Sequence, residues 1–291
     1  EEWFQKAAEQ WNTDAQDNLG VCYTNGWGVT RDDTRAVVWY QTAADQGNCC
    51  AQNHLANCYY YGLGVVLDYT QAAEWYRKAA EQGYADAQYN LGLCYINGEG
   101  VEQDDAQAAE WFRKAAEQGD AAAQYNLGLC YSHGRGVERD DAQAVTWYRK
   151  AAEQGDADAQ YNLGVCYSNG RGVEQDNAQA AEWFRKAAEQ GDAAAQYNLG
   201  LCYSHGRGVE RDDAQAVTWY RKAAEQGDAD AQYNLGVRYS NGEGVERDDT
   251  QAEEWFRKAA EQGHVGAKIR LAEMAQKIWE MSERQQREGG E

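Results

Sequence analysis

Residues 156–191 read DADAQYNLGVCYSNGRGVEQDNAQAAEWFRKAAEQG, and this stretch returns along the chain with small changes. Its tryptophan, Trp183, shares a column with Trp3, Trp39, Trp75, Trp111, Trp147, Trp219 and Trp255, each 36 residues from the next. So fixed a period makes the 291 residues an array of one small unit rather than two ordinary domains. Within the unit, Gly155 follows an Ala-Glu-Gln run and suits the left-handed position after a helix. Asp156 then offers a carboxylate to the free N–H groups of a first helix, predicted to run to about Ser168. Asn169-Gly170-Arg171-Gly172 breaks it, because Asn and Gly tolerate positive φ. Val173 is expected to tuck this loop onto the core. Asp176 or Asn177 caps a second helix from about Ala178 to Gln190, and Gly191 closes it.

Helical spacing assigns the packing faces. On the second helix Ala180, Trp183, Ala187 and Ala188 fall at i, i+3, i+7 and i+8. On the first helix Ala159, Leu163, Cys166 and Tyr167 do the same, with Gly164 beside them permitting close approach. One hairpin is too small to stand alone, so burial must come from its neighbours.

Composition sets further bounds. The Pro count is zero, which excludes collagen and proline-rich linkers. No apolar run approaches the roughly 20 residues of a membrane span. The formal net charge of −21, with no basic cluster, argues against nucleic acid and anionic lipid as partners.

The pattern A…LG..Y..G.GV..D...A..W...AA..G resembles the Sel1-like repeat, a 36-residue relative of the tetratricopeptide repeat. Complete copies run approximately 14–47, 50–83, 86–119, 122–155, 158–191, 194–227 and 230–263. The resemblance implies an all-α fold, a right-handed α/α superhelical solenoid of helix-turn-helix repeats. Residues 1–10 read as an orphan second helix, so the sequence opens mid-repeat and a targeting segment is not legible. Residues 264–287, with the stripe Ala267, Leu271, Met274, Ile278 and Met281, read as a capping helix. The tail 288–291 is expected to be disordered. Residues 106–165 are identical to 178–237, as a recent duplication or a designed array would give.

The other face of the first helix carries Tyr89, Tyr125, Tyr161, Tyr197 and Tyr233, with Leu93, Leu129, Val165, Leu201 and Val237 one turn on. In the family the chain resembles, first helices line the concave surface where ligands bind. The resemblance thus implies a groove paved with these residues and edged by Asn126, Asn162 and Asn198. Tyrosine suits interfaces, giving area, few rotors and a hydroxyl. The competing reading has these rings closing the wall by packing on the adjacent repeat. Asp14, Asp86, Asp158 and Asp230 lie near the helix starts on the same side, where helix-start electrostatics alone would also place them. The basic partners that hold a peptide carboxylate on this wall in some tetratricopeptide proteins are absent. The expected partner is therefore a protein or extended peptide, neutral or basic.

Copies one and two depart from the pattern. Asp17 and Asn53 replace the groove tyrosine, and His54 replaces the Asn. Trp27, Tyr60, Tyr61 and Leu63 form a secondary candidate patch, for a partner or for packing against another repeat or a dimer mate. Cys22, Cys58, Cys94, Cys130, Cys166 and Cys202 share one column, broken by Arg238. Neighbouring helices roughly 10 Å apart leave this column outside the ~7 Å reach of a disulfide. The column therefore reads as small buried hydrophobes, and unpaired thiols favour a reducing compartment. Cys50, His54 and Cys58 lie on one ridge, but paired CxxC motifs are lacking, so neither metal nor cofactor is expected. There is no SxxK, GxSxG, P-loop or HExxH, and paired acids such as Asp140-Asp141 recur as helix caps. The chain thus reads as a non-enzymatic interaction scaffold. The alternative is a structural or designed array without a dedicated ligand, self-associating through its ends.

Overall fold

The computed structural model describes residues 12–288. The expected orphan helix at 1–10, Trp3, Trp11 and the end of the tail lie outside the described residues, as does the side chain of Ile278. All fifteen described elements are α-helices, and among the described residues there is no strand. The chain divides into two compact units, 1–154 and 155–291.

The first unit holds four hairpins: Thr13–Asn25 with Asp33–Asp45, Cys49–Tyr61 with Tyr69–Glu81, Ala85–Asn97 with Asp105–Glu117, and Ala121–His133 with Asp141–Glu153. The second holds Ala157–Asn169 with Asn177–Glu189, Ala193–His205 with Asp213–Glu225, and Ala229–Asn241 with Asp249–Glu261, followed by Val265–Glu288. Within each unit every helix packs on the next in sequence, which is the contact pattern of an α-solenoid.

Local chemistry sets the helix ends. Asp156 accepts from the Ala159 N–H, and Asp176, rather than Asn177, accepts from those of Ala178 and Gln179. Gly170 and Gly172 take φ of 69° and 68°, and Gly155 takes 98°. Of the two loop glycines, the second has a packing duty as well. A Cβ on Gly136 would overlap the backbone carbonyl of Asp105, and one on Gly208 that of Asn177. Each such loop therefore lies directly on the start of the preceding second helix. The valine after it, Val137 or Val209, packs onto the core as expected.

The leucine column Leu19, Leu55, Leu91, Leu127, Leu163, Leu199 and Leu235 is sealed from solvent. Trp147 joins the core of the hairpin before it, as Trp219 does in the second unit, so the indole plugs the seam between repeats. A lysine one turn on closes the outer side of each ring: Lys150 Nζ lies 3.9 Å from the Trp147 centroid and Lys222 Nζ 4.0 Å from that of Trp219.

Two structural columns go beyond the sequence reading. One is the second-helix aromatic Phe112, Tyr148, Phe184, Tyr220 and Phe256, which lies against the glycine of its own first helix. A Cβ on Gly128 would stand 2.6 Å from the Tyr148 ring, and one on Gly200 2.6 Å from that of Tyr220. The other is a buried glutamine seam. Gln196 accepts from Gln226 Nε2 at 2.8 Å and donates to the Ala188 carbonyl at 3.1 Å, tying three helices together. Gln88, with Gln118 and Ala80, makes the same bridge in the first unit.

All eight cysteines are free thiols. Burial pushes Cys58 and Cys94 up to about 12, and Cys130 and Cys202 up to about 11. In the unfolded chain these thiols ionise near ~8.5, so their contribution to stability is complete below that pH. It is lost as pH rises through about 11 to 12. The urea midpoint is therefore expected to fall between pH 8 and pH 11, and to fall less when these four cysteines are replaced by valine. An unchanged slope in that variant would remove the thiols from the account.

The final helix seats Ala267 in the last core, with Leu271 and Met274 packed against it. The expected stripe stops there, since Met281 is exposed. His264 caps this helix by accepting from the Ala267 N–H.

Candidate functional site

In each unit the face opposite the leucine column is built from that unit's first helices. Tyr89, Tyr125, Tyr161, Tyr197 and Tyr233 are all half-buried. Each leans on the second-helix aromatic of its own hairpin, with ring centroids between 5.8 Å (Tyr233–Phe256) and 6.0 Å (Tyr161–Phe184). The rings are therefore partly wall packing, and only their outer edges reach solvent. In the second unit Asn198 hydrogen-bonds the Tyr161 hydroxyl, and Asn234 Nδ2 donates to the Tyr197 hydroxyl at 3.4 Å. A hydroxyl that accepts here still has its own O–H to donate outward. Burial pushes Tyr197 up to about 12, with Asp230 adding to it, and raises Tyr161 with help from Asp192 and Asp228.

The rim asparagines turn back on their own helices. Asn126, Asn162 and Asn198 donate Nδ2 to the carbonyls of Ala122, Asp158 and Ala194, leaving their Oδ1 acceptors available. Leu93, Leu129, Val165 and Leu201 are half-buried at the bottom of this face. In the first unit Leu93 and Leu129 line a pocket of about 330 Å³ with Ile96, Asn97, Asn126, Cys130, His133 and Arg135. Its floor is aliphatic and its edge polar, the usual division of labour in a recognition pocket.

In copies one and two the same ladder is built from other residues. Asp17 Oδ1 pairs with His54 Nδ1 at 2.7 Å, and Asn90 Nδ2 donates to Asn53 Oδ1 at 3.2 Å. His54 is thus committed to Asp17 and stacks near Tyr40, not with Cys50 and Cys58. Among the described residues no group of three His, Cys, Asp or Glu could hold a metal ion. The secondary patch splits in two. Trp27 and Tyr61 are each 65% exposed. Tyr60 and Leu63 pack against the core, and the Tyr60 hydroxyl donates to Glu99 at 2.6 Å.

Arg238, where six other copies have cysteine, is nearly buried and held by Asp213 at 2.9 Å, Glu243 at 2.7 Å and the Ser204 hydroxyl. The missing small hydrophobe is thereby replaced by a compensated ion network. Asp14 and Asp230 are engaged by Asn48 and His264, the caps of Cys49–Tyr61 and Val265–Glu288, each two helices further on. These acids therefore tie repeats together as well as facing helix starts.

The family described as Sel1 repeat matches residues 1–10, 13–48, 51–84, 85–120, 121–156, 157–192, 193–228 and 229–264. The chain belongs to the Sel1 repeat family. Among solved structures it is similar to a protective antigen present in uropathogenic Escherichia coli strains displaying an SLR fold: 42% identity, TM-score 0.91, 95% of this chain and 60% of that one. It is also similar to a Sel1 repeat protein from Oxalobacter formigenes, at 39% identity and TM-score 0.74, over 93% of this chain and 78% of that one. The chain thus spans 60% of the length of the first of these relatives. Among curated proteins no match is found. Sel1 repeat proteins are generally interaction scaffolds without catalytic activity, and the repeat fold suits protein partners. No helix among the described residues is long and apolar enough to cross a membrane.

Proposed function

We propose that each unit of this Sel1 repeat array holds an extended protein segment, neutral or basic in net charge, across the face formed by that unit's own first helices. The tyrosine column Tyr89, Tyr125, Tyr161, Tyr197 and Tyr233 gives aromatic edges, and Tyr161 and Tyr197 give hydroxyl donors. Leu93, Leu129, Val165 and Leu201 give the apolar floor, and the Oδ1 atoms of Asn126, Asn162 and Asn198 accept from the backbone of the segment. The observation that carries this reading is the pocket of about 330 Å³ over Leu93, Ile96 and Leu129, roomy enough for an aliphatic side chain with part of its backbone and rimmed by polar groups. The acids of the helix starts and the net charge of −21 favour a cationic segment and disfavour a polyanion.

Random peptides displayed on phage and selected on the immobilised chain test it. Enriched peptides are expected to carry an aliphatic residue among neutral or basic ones. Their affinity is expected to drop about tenfold or more when Leu129 is changed to Ser, or Tyr125 to Ala, with the helical signal unchanged. Enriched peptides indifferent to both changes would place binding elsewhere. Selection of no peptide at all would favour the array as a structural element.

A further inference from the structure

The identical blocks 106–165 and 178–237 place the same loop, His-Gly-Arg-Gly, at the edge of the tyrosine face twice. The arginines of these loops nevertheless stand in different electrostatic states. In the first unit Arg135 is bound by Asp105, with Nη2 to Oδ1 at 3.0 Å and Nε to Oδ2 at 3.4 Å. Asp105 is the residue just before the repeated block. At the corresponding place before the second block the chain has Asn177. Asn177 carries no charge, and among the described residues no carboxylate pairs with the exposed Arg207 side chain.

Arg207 also lies in a useful place. Its backbone N–H bonds the Cys202 carbonyl at 2.9 Å, as that of Arg135 bonds Cys130, so both loops leave the first helix identically. Arg135 lines the pocket with Asn126, Leu129 and His133. The identical residues beside Arg207 are Asn198, Leu201 and His205. At the other end of the same helices Asp228 and Asp230 act on Tyr197, so the face in the second unit has an acidic lip and a cationic one.

We infer that Arg207 is a carboxylate-reading position: a segment lying across the first helices of the second unit seats one Asp or Glu side chain on this guanidinium. The basic residues of the segment face the acidic lip. A planar guanidinium with all five N–H donors uncommitted matches a carboxylate in bidentate geometry. This rests on the reading of the tyrosine face as a binding surface and adds to it a charge requirement at one end.

The test compares N-acetyl-Leu-Glu-amide with N-acetyl-Leu-Gln-amide, followed by NMR on the full chain with arginine side chains and leucine and valine methyls labelled. The Glu probe is expected to shift the Arg207 Nε–Hε signal saturably and to leave that of Arg135 in place. Asn177→Asp should weaken the Glu probe about fivefold, the upper range for an exposed ion pair, without changing the Gln probe. Asp105→Asn should make Arg135 respond in turn. If both probes move the Val165 and Leu201 methyls equally while Arg207 stays still, the face binds and the carboxylate reading is overturned. If neither probe moves methyls or arginine, both readings fall together. Equal responses from Arg135 and Arg207 would show that the Asp105 ion pair does not matter, which also overturns the inference.

Discussion

Gly136→Ala is expected to be among the most damaging single substitutions in the array, lowering stability by roughly 3 kcal/mol or more. Two costs add. The residue sits at φ 69°, where an L side chain is strained by about 1–2 kcal/mol. Its new Cβ would also enter the Asp105 backbone carbonyl, which cannot move without unwinding the start of a helix. Gly119→Ala supplies the comparison. It has φ 101° and nothing within 4 Å of the added carbon, so only the strain of about 1–2 kcal/mol applies. Guanidinium unfolding of the two variants separates the costs, and equal losses would mean that the loop yields rather than clashes.

Gln196→Leu is expected to cost about 1–2 kcal/mol despite adding apolar surface to a buried site, because two hydrogen bonds are lost. The amide now joins three helices, and its removal takes one partner from Gln226 Nε2, which keeps the Gly191 carbonyl, and one from the Ala188 carbonyl, which keeps the Gly191 N–H. Gln196→Glu keeps the shape and loses the donor toward Ala188, and the glutamate would also have to shed a charge or bury it. Both variants should show lower urea midpoints, with slowed exchange protection lost first at the Ala188–Ala195 junction. A Leu variant as stable as the parent would show that packing alone holds the seam.

Much of this was legible because the array repeats its signals. Trp183, Leu163 and Gly164 recur at fixed spacing, and each does in space what helical periodicity requires of it. The caps were legible too, since Asp156 and Asp176 stand where free N–H groups need an acceptor. Gln196 and its equivalents escaped because a glutamine on a helix reads as solvent-facing, and only its partners 30 residues ahead and eight residues back make it a core residue. Phe184 escaped because it stands beside Trp183, and one bulky residue per face already satisfied the period. The same omission made the tyrosine column look freer than it is: the ring beneath Tyr161 belongs to Phe184. Arg207 could have been found by comparing the residues just outside the duplicated blocks, where Asp105 becomes Asn177.

Within each unit the seams have constant offsets, such as those from Gln226 to Gln196 and from Asn234 to Tyr197. Within each unit the glutamine seam is therefore the same at successive joints, while the ladder beside the tyrosine column varies in copies one and two. Excising 72 residues between equivalent points of the twin blocks would bring together faces that already fit, whereas removing a number that is not a multiple of 36 would leave a mismatched joint. Unequal crossing-over between the coding stretches for 106–165 and 178–237 would thus alter reach and valency in one event, in a protein that needs no new contact to tolerate it.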